Sequence, residues 1–259
     1  MDNNLQVTPI SLTLTFSLVL IAFVISYKEQ LKLEKDLIIA MARMVIQLLI
    51  VGYLLAGIFR MNQAWVTLAM VAVIVFNAAW NAAQRGRGMD HVFKNSVIAL
   101  TVTSAITIMI LIFSGSLKFI PAQIIPITGM IAGNTMKAIG ICYQNLKQLF
   151  HDRQQGVLEM LALGATPKQA ASDIFRLTIR SGMQPTIDSA KTTGLVSLPG
   201  MMSGLMFAGI DPTKAILYQI MVMFMLVGAT AIGSFIATYL SYKTFFNQRA
   251  QLMTHRPKD

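Results

Sequence analysis

The sequence holds few residues of the types that catalyse covalent reactions or bind metal ions tightly. Its single cysteine, Cys142, excludes an internal disulfide and a cysteine-rich metal or iron–sulfur site. The three histidines, His91, His151 and His255, are scattered, with no His-x-x-x-His pair. The chain also lacks the Gly-x4-Gly-Lys-Ser/Thr phosphate loop of many ATPases. We therefore expect no covalent catalysis, no nucleotide hydrolysis and no resident cofactor in this chain.

Polar side chains are rare within the long apolar stretches, and none of them is a carboxylate. Arg43 and Gln47 are four residues apart, as are Asn77 and Asn81, so each pair shares one face of a helix. Asparagine oxygens can coordinate an ion weakly, although hydrogen bonds between helices are their more common use. Arg43 lies near the start of its stretch, where an arginine can extend its charged end to the membrane surface.

The 18 methionines are another source of metal ligands. Thioether sulfur suits Cu(I) better than Fe(II), and methionine is also a common filler of apolar space. We favour the filler interpretation for most of them. A weak, transient site of carbonyl, amide and thioether groups is what the sequence leaves for an ion, and the metal ligands stay unknown.

The elements that must hold these residues are membrane helices. Hydrophobic residues make up 55% of the 259 residues and charged residues only 12%, which is about half of the charged share of a soluble domain. Seven apolar stretches are long enough for a helix to cross a hydrocarbon layer of ~30 Å. We predict an all-α integral membrane protein, a single transmembrane domain over 1–259, with spans near 10–26, 37–59, 64–83, 96–113, 119–142, 194–210 and 215–239.

The distribution of Lys and Arg predicts which side of the membrane each connection faces. The net charge of +10 would suggest nucleic acid in a soluble protein, but here the basic residues gather in alternate connections. Arg60, Lys118 and Lys214 stand alone in the other connections. Because cytoplasmic connections are enriched in Lys and Arg, the N-terminus is predicted outside and the C-terminus in the cytoplasm. The long connection 143–193 is then a cytoplasmic segment where a partner can dock.

Residues within this segment predict a helical hairpin. Gly164 is suited to end a helix in the left-handed conformation. Thr166 then fits an N-cap, Pro167 the first helical position and Gln169 the third position of a capping box. Such a hairpin between two spans can be a lever that carries a partner's motion into the membrane, or it can merely pack against lipid headgroups. The spacing alone favours neither interpretation.

The entry to span six carries two charges that can pair. Asp188 and Lys191 are three residues apart, so a helix brings them together. The pair either contributes little at the membrane surface or anchors the joint between the hairpin and span six.

Spans five to seven carry small residues at the spacing that lets membrane helices pack closely. The pattern recurs at Gly129 and Gly133, at Gly200 and Gly204, and at Ala229, Gly233 and Ala237. These residues are expected to hold the bundle or a homodimer together.

Prolines are predicted to interrupt spans five and six. Irregular backbone at membrane depth is tolerated where it lines a wet cavity, although a proline kink without a role in transport fits equally well. We place a candidate substrate pathway between these spans, at Pro126, Asn134, Pro199, Met201 and Ser203.

Two resemblances point to a family. Glu159, Gly164 and Ile174 have the spacing of the cytoplasmic loop of ABC-transporter permeases, which docks in a cleft of the ATPase. The runs 43–48, 76–81, 125–134 and 188–204 resemble the Fet-type iron-export ABC permease family of bacteria, relatives of a plant ABC permease subunit linked to aluminium tolerance. The last run is long and specific.

The resemblance implies a multi-pass permease of the bacterial inner membrane that exports metal, iron by the bacterial assignment. It implies a separate ATPase subunit that binds ATP and Mg²⁺, two permease copies in one transporter, and surrounding lipid, with no nucleic-acid partner. The residues expected to couple the ATPase to the spans are Glu159, Gly164, Thr166, Pro167 and Ile174. The alternative is an ATP-independent channel, or a lipid-handling membrane protein whose hairpin binds only membrane.

Overall fold

The computed structural model describes residues 8–61, 63–247 and 249–253, which are helical apart from turns and two isolated β-bridges. The α-helices in these residues are α1 (Pro9–Lys28), α2 (Glu34–Met61), α3 (Ala64–Arg85), α4 (Val92–Phe113), α5 (Pro121–Asp152), α6 (Gln154–Ala162), α7 (Pro167–Ala170), α8 (Ser172–Thr192), α9 (Gly200–Phe207) and α10 (Pro212–Tyr242). A short 3-10 helix, Lys243–Phe245, follows α10. The all-α class expected from the sequence is confirmed.

Residues 1–61 form one compact unit, in which helices α1 and α2 are described. Thr8 caps α1, because its side-chain oxygen accepts a hydrogen bond from the backbone N–H of Ser11 at 3.2 Å. The buried Ser26 ties the turn between the helices by donating its hydroxyl to Glu34 Oε1 at 2.8 Å. Most other side chains of both helices are apolar and exposed, which suits helices surrounded by hydrocarbon.

Residues 62–259 form the second unit, whose core lies among α3, α4, α5 and α10. Tyr143 of α5 is fully buried, and its hydroxyl lies 2.9 Å from Ser96 Oγ of α4. Asn95 of α4 donates from Nδ2 to Ser241 Oγ of α10 at 3.1 Å. Small hydroxyl residues fill much of the remaining core, among them Ser104, Thr128, Thr135, Thr178, Thr230, Ser234 and Thr238. Their size lets the helices approach closely, as is common in membrane bundles.

Six of the described helices are long and apolar enough to cross a membrane: α1, α2, α3, α4, α5 and α10. Five of them coincide within a few residues with the expected spans at 10–26, 37–59, 64–83, 96–113 and 215–239, and the sixth, α5, begins near the start of the expected span 119–142 and continues beyond its end. The expected span 194–210 is wrong as a single helix, because its helical part, α9, has eight residues and rises only about 12 Å. Gly194 has a φ of 91° and Pro199 has extended backbone, so the helix cannot run through them.

Helix α5 differs from expectation in the opposite way. It is continuous through Pro126, so the interruption expected in span five is wrong. The helix has 32 residues and ends at Asp152, well beyond the expected end of the span at residue 142. A proline can lie inside a membrane helix when the neighbouring elements still satisfy the backbone around it.

Helix α8 packs along α10 and is part of the bundle. Near its start, Phe175 contacts Tyr242 with ring centroids 5.9 Å apart. Just past its end, Thr193 Oγ1 lies 4.0 Å from Met223 Sδ. The two helices therefore run antiparallel, and α8 lies beside the part of α10 between Met223 and Tyr242. The C-terminal part of the expected cytoplasmic segment 143–193 thus packs on the bundle, and its cytoplasmic position stays a prediction.

Gly182 is the point where α8 comes closest to its neighbours. A Cβ atom at this position would collide with Cys142 Sγ of α5 and would lie 3.0 Å from Ser234 Oγ of α10. Cys142 donates from Sγ to the carbonyl oxygen of Thr178, one turn earlier in α8, at 3.6 Å. The absence of a side chain at Gly182 therefore lets α8 dock against two helices at once.

Helix α10 begins at a capped end. The carboxylate of Asp211 accepts a hydrogen bond from the backbone N–H of Thr213 at 2.9 Å, and Pro212 occupies the first helical position. Hydrogen bonds from the side chain and then the backbone of Thr213 hold the pKa of the Asp211 carboxyl below its ordinary value. The start of α10 is thus fixed next to the turn that follows α9.

We predict that Gly182→Ala destabilises the protein, because the added methyl group overfills the contact among α5, α8 and α10 at a cost of about 1–3 kcal/mol. Gly228→Ala is the matched control, since Gly228 also lies inside a helix and a Cβ there meets nothing within 4 Å. Thermal unfolding of the two purified variants in detergent compares them. A Gly182→Ala protein as stable as the control would contradict this packing.

Candidate functional site

The hairpin between α5 and α8 turns at Gly164, as the sequence predicts. Gly164 has a φ of 87°, a left-handed conformation that favours glycine. Its N–H donates to the carbonyl oxygen of Leu161 at 3.0 Å, and the N–H of Ala165 donates to that of Met160 at 3.0 Å. These two bonds form a Schellman motif, which satisfies the last carbonyl groups of α6.

The second arm of the hairpin starts with the expected capping box. The N–H of Thr166 donates to Gln169 Oε1 at 2.9 Å, while the N–H of Gln169 donates to Thr166 Oγ1 at 3.4 Å. Pro167 occupies the first position of α7. Helix α7 has only four residues and is followed almost at once by α8. The hairpin therefore leads directly into the helix that packs on α5 and α10.

The predicted coupling residues divide between the surface and the core. Glu159 is exposed and accepts a hydrogen bond from Gln155 Nε2 at 3.0 Å. Leu163, which the sequence did not single out, is 84% exposed at the tip of the hairpin. Ile174 is only 2% exposed and packs in the core of the second unit. A direct contact between Ile174 and a partner is therefore excluded in this conformation, and the residue anchors α8 instead.

The candidate pathway residues make separate local contacts in the described chain, and their role in a pathway stays a prediction. Asn134 is partly buried and donates from Nδ2 to the carbonyl oxygen of Met130 at 2.9 Å. Met201 packs against an apolar cluster of α4, α5 and α10, consistent with a filler role. Ser203 donates to the carbonyl oxygen of Pro199 at 3.3 Å. Residues 8–61, 63–247 and 249–253 contain no group of three His, Cys, Asp or Glu side chains able to hold a metal ion.

The polar residues within the spans are also exposed in part. Asn81 donates from Nδ2 to the carbonyl oxygen of Asn77 at 2.8 Å and to its Oδ1 at 2.9 Å, so the two amides pair within α3. In the first unit, Arg43 and Gln47 are exposed on α2. Their common helix face includes Asp36.

Of the small residues that the spacing emphasised, those on α10 pack against a neighbouring helix and those on α5 and α9 meet no other part of the described chain. A Cβ at Gly129, Gly133, Gly200 or Gly204 would meet nothing within 4 Å. Gly233, in contrast, faces the side chain of Thr135 so closely that a Cβ would collide with it. Ala229 and Ala237 on the same face of α10 are fully buried. Besides Gly182, close approaches occur at Gly86 and Gly140, and spacing alone gives no signal for either.

The ion pair expected from the sequence is present on α8. Lys191 Nζ lies 3.4 Å from Asp188 Oδ1, and both side chains are more than half exposed. Gln184 Nε2 also donates to both oxygens of Asp188, at 3.0 and 3.1 Å. An exposed pair of this kind contributes little to stability, so its position on α8 is the more informative property.

The family is settled by similarity to known proteins. The family described as "Uncharacterised protein family (UPF0014)" matches residues 9–246. The chain belongs to the UPF0014 family. Its multiple apolar helices make it a multi-pass membrane protein of this family.

Several UPF0014 relatives carry names that bear on function. "Probable iron export permease protein FetB" of Escherichia coli (strain K12) is 54% identical over 256 residues, covering 99% of each chain. "Protein ALUMINUM SENSITIVE 3" of Arabidopsis thaliana is 36% identical over 238 residues, which are 92% of this chain and 87% of the relative. "UPF0014 membrane protein YjkA" of Bacillus subtilis (strain 168) is 35% identical over 94% of this chain and 97% of its own. No solved structure matches the chain. The family resemblance inferred from the sequence is confirmed.

We predict that Thr166→Ala loosens the second arm of the hairpin, because loss of a side-chain N-cap costs about 1 kcal/mol. Local opening of the first turn of α7 then becomes roughly fivefold more frequent, and its amide hydrogens exchange faster by the same factor. Thr166→Ser keeps the hydroxyl and is the control. Hydrogen exchange of peptides covering 165–175 measures the effect. Equal exchange in the two variants would mean that the capping box does not hold the turn.

Proposed function

We propose that this UPF0014 protein is the membrane-spanning permease subunit of an ABC transporter in the bacterial inner membrane. In this proposal it exports iron or another metal from the cytoplasm, and a separate ATPase subunit with bound ATP and Mg²⁺ drives the movement. The observation that carries the proposal is the direct connection of the exposed hairpin to a bundle helix, since α7 ends at Ala170 and α8 begins at Ser172. The name of the FetB relative supports the choice of metal.

The proposed topology has seven crossings, with the N-terminus outside and the C-terminus in the cytoplasm. Helices α8 and α9 together make the sixth crossing. This is supported by the antiparallel packing of α8 on α10 and by Met201 of α9, which packs in an apolar cluster with Met221 and Met225. The break at residues 193–199 then lies beside Met223, within the span of α10. Discontinuous helices of this kind are common in transporters.

The hairpin acts as a lever in this proposal. An ATPase contacts its exposed residues, Glu159 and Leu163, while Gly164, Thr166 and Pro167 hold the shape of the turn. Ile174 locks the start of α8 into the core, so a displacement of the hairpin reaches α8 as a whole. The far end of α8 is the break at 193–199, which precedes Met201 and Ser203 of the predicted pathway.

The proposed transporter contains two copies of this chain. Gly129 and Gly133 on α5, and Gly200 and Gly204 on α9, present open small-residue faces, with nothing within 4 Å of a Cβ at any of them. Small faces of this type allow membrane helices to approach each other closely. A second copy packed on them would place Pro126 and Asn134 of α5 near the interface.

We predict that Gly164→Val uncouples the permease from its ATPase, because a β-branched residue in the left-handed conformation costs about 1–2 kcal/mol and reshapes the turn. Gly164→Asn is the matched control, since asparagine tolerates this conformation. Copurification of the ATPase, metal-stimulated ATP hydrolysis and cellular iron content are measured for both.

Normal copurification and normal stimulation in Gly164→Val would contradict the docking role of the hairpin. Failure of any ATPase to copurify with the wild-type protein would contradict the proposed function itself, and would favour an ATP-independent channel.

A further inference from the structure

One face of α8 carries a continuous line of exposed polar side chains. Successive members are three or four residues apart, so they stack along a single side of the helix. We name this line the α8 stripe: Asp173, Arg176, Arg180, Gln184, Asp188 and Lys191, all of them exposed. In the first half of the helix the opposite side is buried against the bundle through Ala171, Ile174, Thr178 and Gly182, whereas Pro185 and Ser189 farther along that side are exposed. The polar face of α8 therefore points away from the core of its own unit.

The stripe extends to a depth where the neighbouring helix is apolar. The end of α8 lies beside Met223, well inside the candidate span Pro212–Phe245. At this level α10 exposes Phe224, which is 75% accessible. Charged side chains at such a depth face a cavity, a partner or one another, because hydrocarbon does not solvate them. If α8 crosses the membrane as proposed, its last three stripe members face water, a partner or one another rather than lipid tails.

A second helix repeats this arrangement. Helix α5 exposes, wholly or partly, Asn134, Lys137, Gln144 and Gln148, which are three, seven and four residues apart and thus share a side of the helix. Helices α5 and α8 pack on each other at Cys142 and Gly182. Two adjacent helices that both direct polar side chains outward are the expected wall of a hydrated space.

The backbone beyond the stripe points the same way. Residues 193–199 are not helical, and they contain an isolated β-bridge between Thr193 and Ser197. Leu195 in this segment is 93% exposed. Irregular backbone at membrane depth is found where it is buried in protein or lines water. The N–H groups of residues 194–197 bond to the carbonyl oxygens of Thr192 and Ser197, so the turn satisfies its own donors. Because the segment is exposed in the chain at the same depth, irregular backbone of this kind is expected to line water.

The charges of the stripe are mixed, which limits what it can hold. It contains three basic and two acidic side chains, and Asp188 is already engaged by Gln184 and Lys191. In the described residues no cluster of three His, Cys, Asp or Glu side chains accompanies it. A bare divalent ion therefore has no ligand set here, whereas a hydrated ion can pass along mixed charges and amides.

We propose that the α8 stripe lines a water-filled pathway, open on the side of the hairpin and ending at the break 193–199, through which the cargo moves in hydrated form. The identity of the cargo as an ion rests on the proposed function. The presence of water along the stripe rests on the proposed crossing by α8 and α9 and on the polarity of α8, and not on the ATPase or the cargo.

Cysteine accessibility in the full-length protein tests the proposal. Gln184→Cys and Asp188→Cys are compared with Phe224→Cys, a control at similar depth on the apolar surface of α10. The native Cys142 is fully buried, and the wild-type protein gives its background. The charged methanethiosulfonate reagent MTSET, added from either side of membrane vesicles, reacts with the thiolate, which forms in water.

We expect Gln184→Cys and Asp188→Cys to react at least ~tenfold faster than Phe224→Cys, and from the hairpin side only. Reaction rates equal to that of Phe224→Cys would overturn the proposal, since a dry stripe covered by protein or lipid gives that result. Arg180→Cys, nearer the hairpin, replaces either variant if it does not accumulate in the membrane. Rapid labelling in a protein that fails to stimulate any ATPase would uphold the wet stripe and contradict only the proposed function.

Discussion

Every backbone amide and carbonyl group inside a bilayer must find its hydrogen-bond partner within protein or in enclosed water, and the structure depends on this constraint. Long uninterrupted helices satisfy it, and α1 to α5 and α10 take that form. The region from α8 to α9 departs from it, because a polar helix ends at the left-handed Gly194 and the chain continues without a helix to Pro199. In the seven-crossing topology that we propose, this is the part of the span whose surroundings must differ from lipid.

Close packing on one side of α8 makes its polarity on the other side possible. Gly182 has no side chain, so α8 lies directly against Cys142 of α5 and Ser234 of α10. The buried hydroxyl residues of α10 continue this contact with small volumes. The hairpin at Gly164 is joined to the start of this helix through α7. In the function that we propose, α8 thereby connects the surface for the ATPase with the irregular segment 193–199.

Six spans, the glycine turn and the capping box were predictable because each depends on local signals: apolar length, a glycine at a helix end, and Thr166 three residues before Gln169. Helix α8 was predictable as a helix but not as part of the bundle, because Arg176, Arg180 and Asp188 give it the composition of a cytoplasmic helix. Its membership of the bundle depends on a contact between Gly182 and Cys142, which are distant in sequence. The same packing buries Ile174, which was predicted only as one of the coupling residues.

In the proposed topology α8 and α9 together cross the membrane. The turn before α10 then lies outside, while the hairpin lies in the cytoplasm. The most direct measurement is labelling of Lys214→Cys and Lys168→Cys with a membrane-impermeant maleimide in intact spheroplasts and after lysis. Both positions are accessible in the structure, at the start of α10 and in α7. If α8 and α9 cross the membrane, Lys214→Cys reacts in intact spheroplasts and Lys168→Cys reacts only after lysis. Labelling of both positions only after lysis would contradict this topology, because α8 and α9 would then enter and leave on the same side.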